Sequence, residues 1–100
     1  MKGRTPTKAE KGWLDAIVAH GCIVCHRELN VFTEASPHHM DGKVKPGAHL
    51  KTIPLCARHH QIPGQGYVSR HGDSKTRFEA AYGSELELLE FLKHALGWPL

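Results

Sequence analysis

Cysteine occurs at three positions in this chain, and all three fall into one spaced pattern with a histidine: Cys22-Ile-Val-Cys25, then Cys56-Ala-Arg-His59. A pair of thiols two residues apart, answered by a second thiol with an imidazole three positions on, is a tetrahedral zinc set, because those are the donors that ion prefers. Protein fills all four positions, which marks a structural ion rather than a catalytic one. The constraint on folding is severe, since segments 22–25 and 56–59 must meet. Three cysteines cannot all pair with one another, and the polar start Met1-Lys2-Gly3-Arg4 lacks the apolar run of a secretory signal. The expected compartment is therefore the reducing cytoplasm, where such spacing binds metal. Buried free cysteines acting as small hydrophobes are the bland alternative, and would require all three to fall in register by accident. The fourth ligand stays open. On a helix, His59 and His60 lie three and four residues beyond Cys56, and either could reach back. His59 is preferred because it leaves His60 about 100° further round the helix, facing a second site.

The chain's 100 residues suit one domain, residues 1–100, built on one core. With 40% hydrophobic and 23% charged residues a wholly disordered chain is excluded. No apolar run approaches the roughly 18 residues of a membrane span, and no internal repeat or low-complexity segment is present. A formal charge of +3 suits a polyanionic partner without singling one out.

The pattern along the chain predicts a small α+β domain. Residues 1–7 read as a loose basic arm, after which Thr7 and Glu10 form a capping box opening a helix near Lys8. Trp13, Ala16, Ile17 and His20 make its buried stripe, and Gly21 ends it. The Cys22 to Cys25 segment reads as a knuckle whose amides point at the two thiols. Val31 to Ala35 reads as a strand running into Pro37, His38 and His39, and Asp41 to Gly47 as a loop. Thr52, Ile53 and Leu55 read as a second strand interrupted by Pro54, followed by a helix from Cys56 to His60 that Ile62, Pro63 and Gly64 stop. Two helices close the chain: one spans roughly Ser74 to Tyr82. The other starts at Ser84 with Glu87 as its capping box, packs Leu88, Leu89, Leu92 and Leu96 inward, and ends at Gly97 and Pro99.

Nine histidines are the second anomaly. His20, His26 and His94 fit ordinary surface or core roles, but His38-His39 and His59-His60 form two adjacent pairs, with His49 between them and His71 beyond. A histidine pair at a strand end, a loop, and a helix-borne histidine beside a zinc ligand is the arrangement of the ββα-metal nuclease fold. The chain resembles the HNH endonuclease superfamily, and within it is most similar to the Ref-type, RecA-dependent phage nucleases of recombination enhancement. The likeness covers about residues 20 to 96. It rests on Gly21-Cys-Ile-Val-Cys25, Ser36-Pro-His-His39, Ala48-His49, Thr52-Ile-Pro-Leu-Cys56, His59-His60, Gly66-Tyr-Val-Ser-Arg-His-Gly72, and Tyr82-Gly-Ser-Glu85 before Leu88-Leu89.

That resemblance implies a zinc-stabilised treble-clef, ββα-metal core over residues 20–72, with an N-terminal helix before it and C-terminal helices at 74–97. It implies a catalytic divalent cation (Mg²⁺, Mn²⁺ or Zn²⁺) held by His38, His60 and His71, with His39 as the general base. His49 stands where the superfamily usually has Asn, so it would either orient His39 or bind the metal itself. The implied substrate is DNA, the implied partner a RecA filament, and the implied setting a bacterial host, with a phage or prophage origin. The chemistry is coherent: a neutral imidazole can take a proton from water, and a cation with open positions can neutralise a phosphodiester and its leaving oxygen. Lys43, Lys45 and Lys51 on the inter-strand loop, with Arg58 and Arg70 flanking the site, are candidates for holding phosphates. Few aromatics are left for base stacking, so recognition of backbone and shape is expected. Two other classes stand against this reading: a noncatalytic zinc module that docks on nucleic acid or protein, and a metal buffer with exposed histidines. A docking module needs only the Cys22, Cys25, Cys56 and His59 set.

Overall fold

The computed structural model describes residues 5–62 and 64–98. Most of the expected basic arm, together with Pro63 and Pro99, lies outside them. The described elements are α1 (Lys8–His20), α2 (Ile23–Leu29), β1 (Ser36–His39), a 3₁₀ turn (Ala48–Leu50), β2 (Thr52–Leu55), α3 (Ala57–His60), α4 (Lys75–Tyr82) and α5 (Glu85–Ala95). This is an α+β arrangement whose small sheet and following helix, β1, β2 and α3, carry the chemistry.

The capping box at the head of α1 is formed in both directions, Thr7 N to Glu10 Oε1 at 2.8 Å and Glu10 N to Thr7 Oγ1 at 3.2 Å. Trp13 and Ile17 are fully buried, while Ala16 and His20 are only half-buried. Gly21 ends the helix at φ 83°, and a Cβ there would meet the Phe32 ring at 2.7 Å. Backbone conformation and close approach both demand glycine.

Cys22 is the N-cap of α2, a helix that the sequence reading did not foresee; the knuckle simply continues into it. Val31 to Ala35 does not form the expected strand. Beyond the Ser36–Leu55 pair the backbone after β2 turns into Cys56 and α3, so among the described residues no strand lies there to pair with it. Two backbone hydrogen bonds, Cys22 N to Thr33 O at 2.9 Å and Val31 N to Cys25 O at 3.4 Å, tie this stretch to α2.

β1 and β2 pair antiparallel with Ser36 opposite Leu55 and His39 opposite Thr52. The Met40 amide donates to the Lys51 carbonyl at 3.0 Å, which makes 38:53 and 36:55 hydrogen-bonded pairs as well. Pro37 therefore faces Pro54 at a position where neither ring removes a ladder bond. That is why β2 runs unbroken through Pro54, against the expected interruption.

Trp13, Ile17, Ile23, Val24, Ile53, Leu55, Phe78, Leu88, Leu89 and Leu92 form the core with the three cysteines. The Ser84–Glu87 capping box fixes the start of α5. Burying Leu88, Leu89 and Leu92 then draws the first residue of that helix, Glu85, into the interior at 2% exposure. No helix among the described residues is long and apolar enough to cross a membrane.

Candidate metal centres and active site

Two helix starts face each other at the first centre. Cys22 and Cys25 come from the head of α2, Cys56 caps α3, and His59 lies within it. His59 Nδ1 stands 3.5, 3.6 and 3.2 Å from the sulfurs of Cys22, Cys25 and Cys56, and the Cys25 and Cys56 sulfurs are 3.8 Å apart. Zinc bonds of about 2.3 Å to sulfur and about 2.0 Å to nitrogen give tetrahedral edges of about 3.8 Å and about 3.5 Å. These four edges thus already match a tetrahedron of that size, and all the donor atoms lie within 4.8 Å of one another. All four side chains are buried. Burial pushes the Cys22 thiol up to about 12, raises Cys25, and lowers His59 to about 4. Thiolates in such surroundings need a cation to offset their charge, and His59 is in the neutral, ligating form. Tyr67 and Tyr82 pack edge-on against the His59 ring. His59, not His60, groups with the three cysteines, and His60 turns to the other side of α3.

There it meets His38 and His71. The three ring centroids form a nearly equilateral triangle, 5.2, 5.1 and 5.0 Å on a side, and each ring offers a nitrogen within 4.8 Å of the others. The register of β1 turns His38 inward, to 1% exposure. His71 is delivered by a turn in which Ser69 N donates to Asp73 Oδ2, while Arg70 N and His71 N donate to the carbonyls of His59 and His60. Burial is the first cause lowering His60 to about 4, with the neighbouring charges of His38, His71 and Arg70 adding to it. His71 is lowered for the same leading reason. Three imidazoles converging in this way could hold a metal ion. The fit has an independent sign: buried His38 Nδ1 has no hydrogen-bond partner, which a protein interior rarely tolerates.

His39, the next residue on β1, points the other way and joins His49, with Nε2 2.9 Å from His49 Nδ1. His49 sits on the buried 3₁₀ turn, its carbonyl accepting from Thr52 Oγ1 at 3.0 Å, and Thr52 in turn accepts from Trp13 Nε1 at 2.9 Å. His49 is not part of the triangle of His38, His60 and His71. Burial, then the charges of His49, Lys43 and His38, hold His39 down at about 4, so it is neutral at physiological pH. His38, His39, Lys43, His60 and His71 share one open cleft of about 330 Å³.

The other candidate phosphate-binding residues are dispersed. Lys45 is on the exposed loop. Lys51 lies 3.5 Å from Asp41 and lines a different cleft, and Arg58 is half-buried on α3. Arg70 is turned inward, its Nε 3.2 Å from Glu85 Oε2.

Glu85 is the residue that sequence reasoning missed. Its Oε2 also accepts from His38 Nε2, and Lys75 Nζ is 3.9 Å from Oε1. Burial acts to raise its pKa, but the His38 hydrogen bond and the charges of His38 and Arg70 outweigh it and leave the carboxyl below its usual range. A carboxylate–histidine pair behind a metal site fixes which ring nitrogen is offered to the ion. The family model described as recombination enhancement, RecA-dependent nuclease matches residues 6–97, and so covers both centres and all five helices.

Proposed function

The chain belongs to the family of recombination-enhancement, RecA-dependent nucleases, and from that premise we propose that it is a metal-dependent DNA endonuclease of the HNH type, hydrolysing phosphodiester bonds with a His-activated water. The observation that carries this reading is the shared cleft. It holds three convergent imidazoles, one of them with an unpartnered buried nitrogen, beside His39, which pairs with His49 outside the triangle.

Cys22, Cys25, Cys56 and His59 would hold a structural zinc ion that clamps α2 to α3, and so fixes where His60 points. His38, His60 and His71 would hold the catalytic cation. When bound, a divalent ion there supplies charge neutralisation at the phosphate and stabilisation of the departing 3′ oxygen. His39 acts as the general base. With Nε2–H donated to His49 Nδ1, the free electron pair lies on Nδ1 of His39, which takes the proton of the attacking water as its oxygen bonds to phosphorus and the P–O3′ bond breaks. His49 accepts that hydrogen bond and keeps His39 in the productive tautomer, while Lys43 stands in the same cleft to hold a phosphate. The family's dependence on a RecA filament would supply the DNA form acted on, in a bacterial cytoplasm.

The test is cleavage of duplex, single-stranded and RecA-coated DNA in Mg²⁺, Mn²⁺ or Zn²⁺ by wild type and His39→Ala. Cutting by the wild type alone is expected. Equal products from both proteins would end the catalytic reading and leave a zinc docking module.

A further inference from the structure

We propose that Glu85 is a positioning residue for the second metal centre. Resting on the functional reading above, it holds His38 as the tautomer protonated on Nε2, so that Nδ1 alone is presented to the cation. The carboxylate oxygen Oε2 accepts from His38 Nε2 and from Arg70 Nε at once. An ionised carboxylate has no proton to give, so the hydrogen in the first contact belongs to the imidazole. The remaining ring nitrogen then carries the lone pair, and it is the buried atom without a partner. A Glu serving only to fill a helix start would leave no such orphan.

The supports around Glu85 are as specific as its contact. Its own backbone N–H donates to Glu79 Oε2 at 2.7 Å, and the Ser84–Glu87 capping box sets where α5 begins. Arg70 and Lys75 place positive charge against the buried carboxylate and offset the cost of keeping it ionised there. Arg70 immediately precedes His71, so the same turn that brings one imidazole into the triangle also brings the guanidinium that steadies the support of another. A consequence follows for the fold. The ligand His38 and its support are 47 residues apart, so α4 and α5, which lie outside the ββα unit, become part of the metal centre.

The experiment uses full-length protein with its cysteine site filled by zinc, in wild-type, Glu85→Gln and Glu85→Asp forms. Long-range ¹H–¹⁵N correlation of the imidazoles reads the His38 tautomer before any second metal is added. Titration with Co²⁺, followed by its visible absorption and by calorimetry, reads affinity at the three imidazoles. Wild-type His38 should carry its proton on Nε2. Glu85→Gln should bind Co²⁺ some 10- to 100-fold more weakly, with a mixed His38 tautomer, an unchanged zinc content and an unchanged helical circular dichroism spectrum. Glu85→Asp, which keeps the charge, should recover part of the loss. Wild-type His38 protonated on Nδ1, or Glu85→Gln binding Co²⁺ as tightly as wild type, overturns the positioning role alone. Failure of the wild type to bind Co²⁺ at the imidazoles overturns both this role and the functional reading.

Discussion

His39 and His49 meet through Nε2 and Nδ1 at 2.9 Å, and this contact decides which atom of His39 can act as a base. If His49 accepts, His39 keeps its lone pair on Nδ1; if His49 donates, His39 holds a proton on the atom that must take one. His39→Ala should lower single-turnover cleavage by about 10²- to 10⁴-fold, the usual contribution of a positioned base. His49→Ala should lose less, since the base remains and only its orientation is relaxed. His49→Asn, whose carbonyl can also accept from Nε2–H, should recover much of that loss. Equal rates for His49→Ala and wild type would remove His49 from the site.

Removing the first metal should abolish folding rather than chemistry. The apparent binding free energy of a structural zinc is about 10–16 kcal/mol, and the whole stability of a small domain is about 5–15 kcal/mol. Strong chelation, or Cys56→Ser, should therefore give a chain that has lost near-UV circular dichroism and a cooperative melting transition. Re-addition of zinc should restore both in the chelated wild type. A chelated, metal-free protein that still melts cooperatively at the wild-type temperature would show that the clamp is dispensable.

The cysteine centre was legible in the sequence because metal ligands on short turns have fixed local spacing, whereas helical rotation gave only a preference for His59 over His60. His38, His39, His49, His60 and His71 were nameable as chemistry, but only a likeness to a family gave them roles, since no spacing rule connects a strand end to a turn beyond α3. Glu85 left almost no local trace. An acidic residue in the first turn of a helix reads as a complement to the helix dipole, and nothing near it in sequence announces a partner as distant as His38. The errors have the same origin. Val31 to Ala35 has β-branched and aromatic residues, yet strand propensity means fitting a pleated neighbour, and β2 ends at Leu55 before it could serve as one. Pro54 looked like a break because ladder parity cannot be known before the register is. α2 is seven residues long and has no side-chain cap, so its signal was too short to see.

Gly21→Ala should be costly for two separable reasons. The positive φ of 83° strains any L side chain, and the added Cβ would overlap the Phe32 ring. A loss of about 1–3 kcal/mol is expected from backbone strain alone, with the overlap adding to it. In chemical denaturation, Phe32→Ala placed on Gly21→Ala should recover the steric part and leave the backbone part. Strictly additive losses would mean that the ring and the new methyl do not meet.

Lys43 is the lysine that shares the imidazole cleft, whereas Lys51 faces Asp41 and lines another. Binding of duplex DNA by the His39→Ala protein should weaken as salt rises. Lys43→Ala should lower the magnitude of the log–log slope by about 0.9, the signature of one lost phosphate contact on duplex DNA. Lys51→Ala should change the slope less. Identical slopes for Lys43→Ala and its parent would place the DNA elsewhere on the surface.

The buried hydroxyl of Thr52 joins the first helix to the 3₁₀ turn that carries His49, accepting from Trp13 Nε1 and donating to the His49 carbonyl. Thr52→Val keeps the shape but removes the acceptor of the buried Trp13 indole N–H and one donor to the His49 carbonyl, at a cost of about 1–3 kcal/mol for the indole N–H left unsatisfied. Stability should therefore fall. Because the 3₁₀ turn loses its tether, the cleavage rate measured well below the melting temperature should fall too, while Co²⁺ affinity at His38, His60 and His71 is unchanged. That split separates His49 from the metal triangle: a variant that lost cation affinity in step with rate would show that the two histidine groups are one cooperative unit, and the division of labour between base and metal would have to be redrawn.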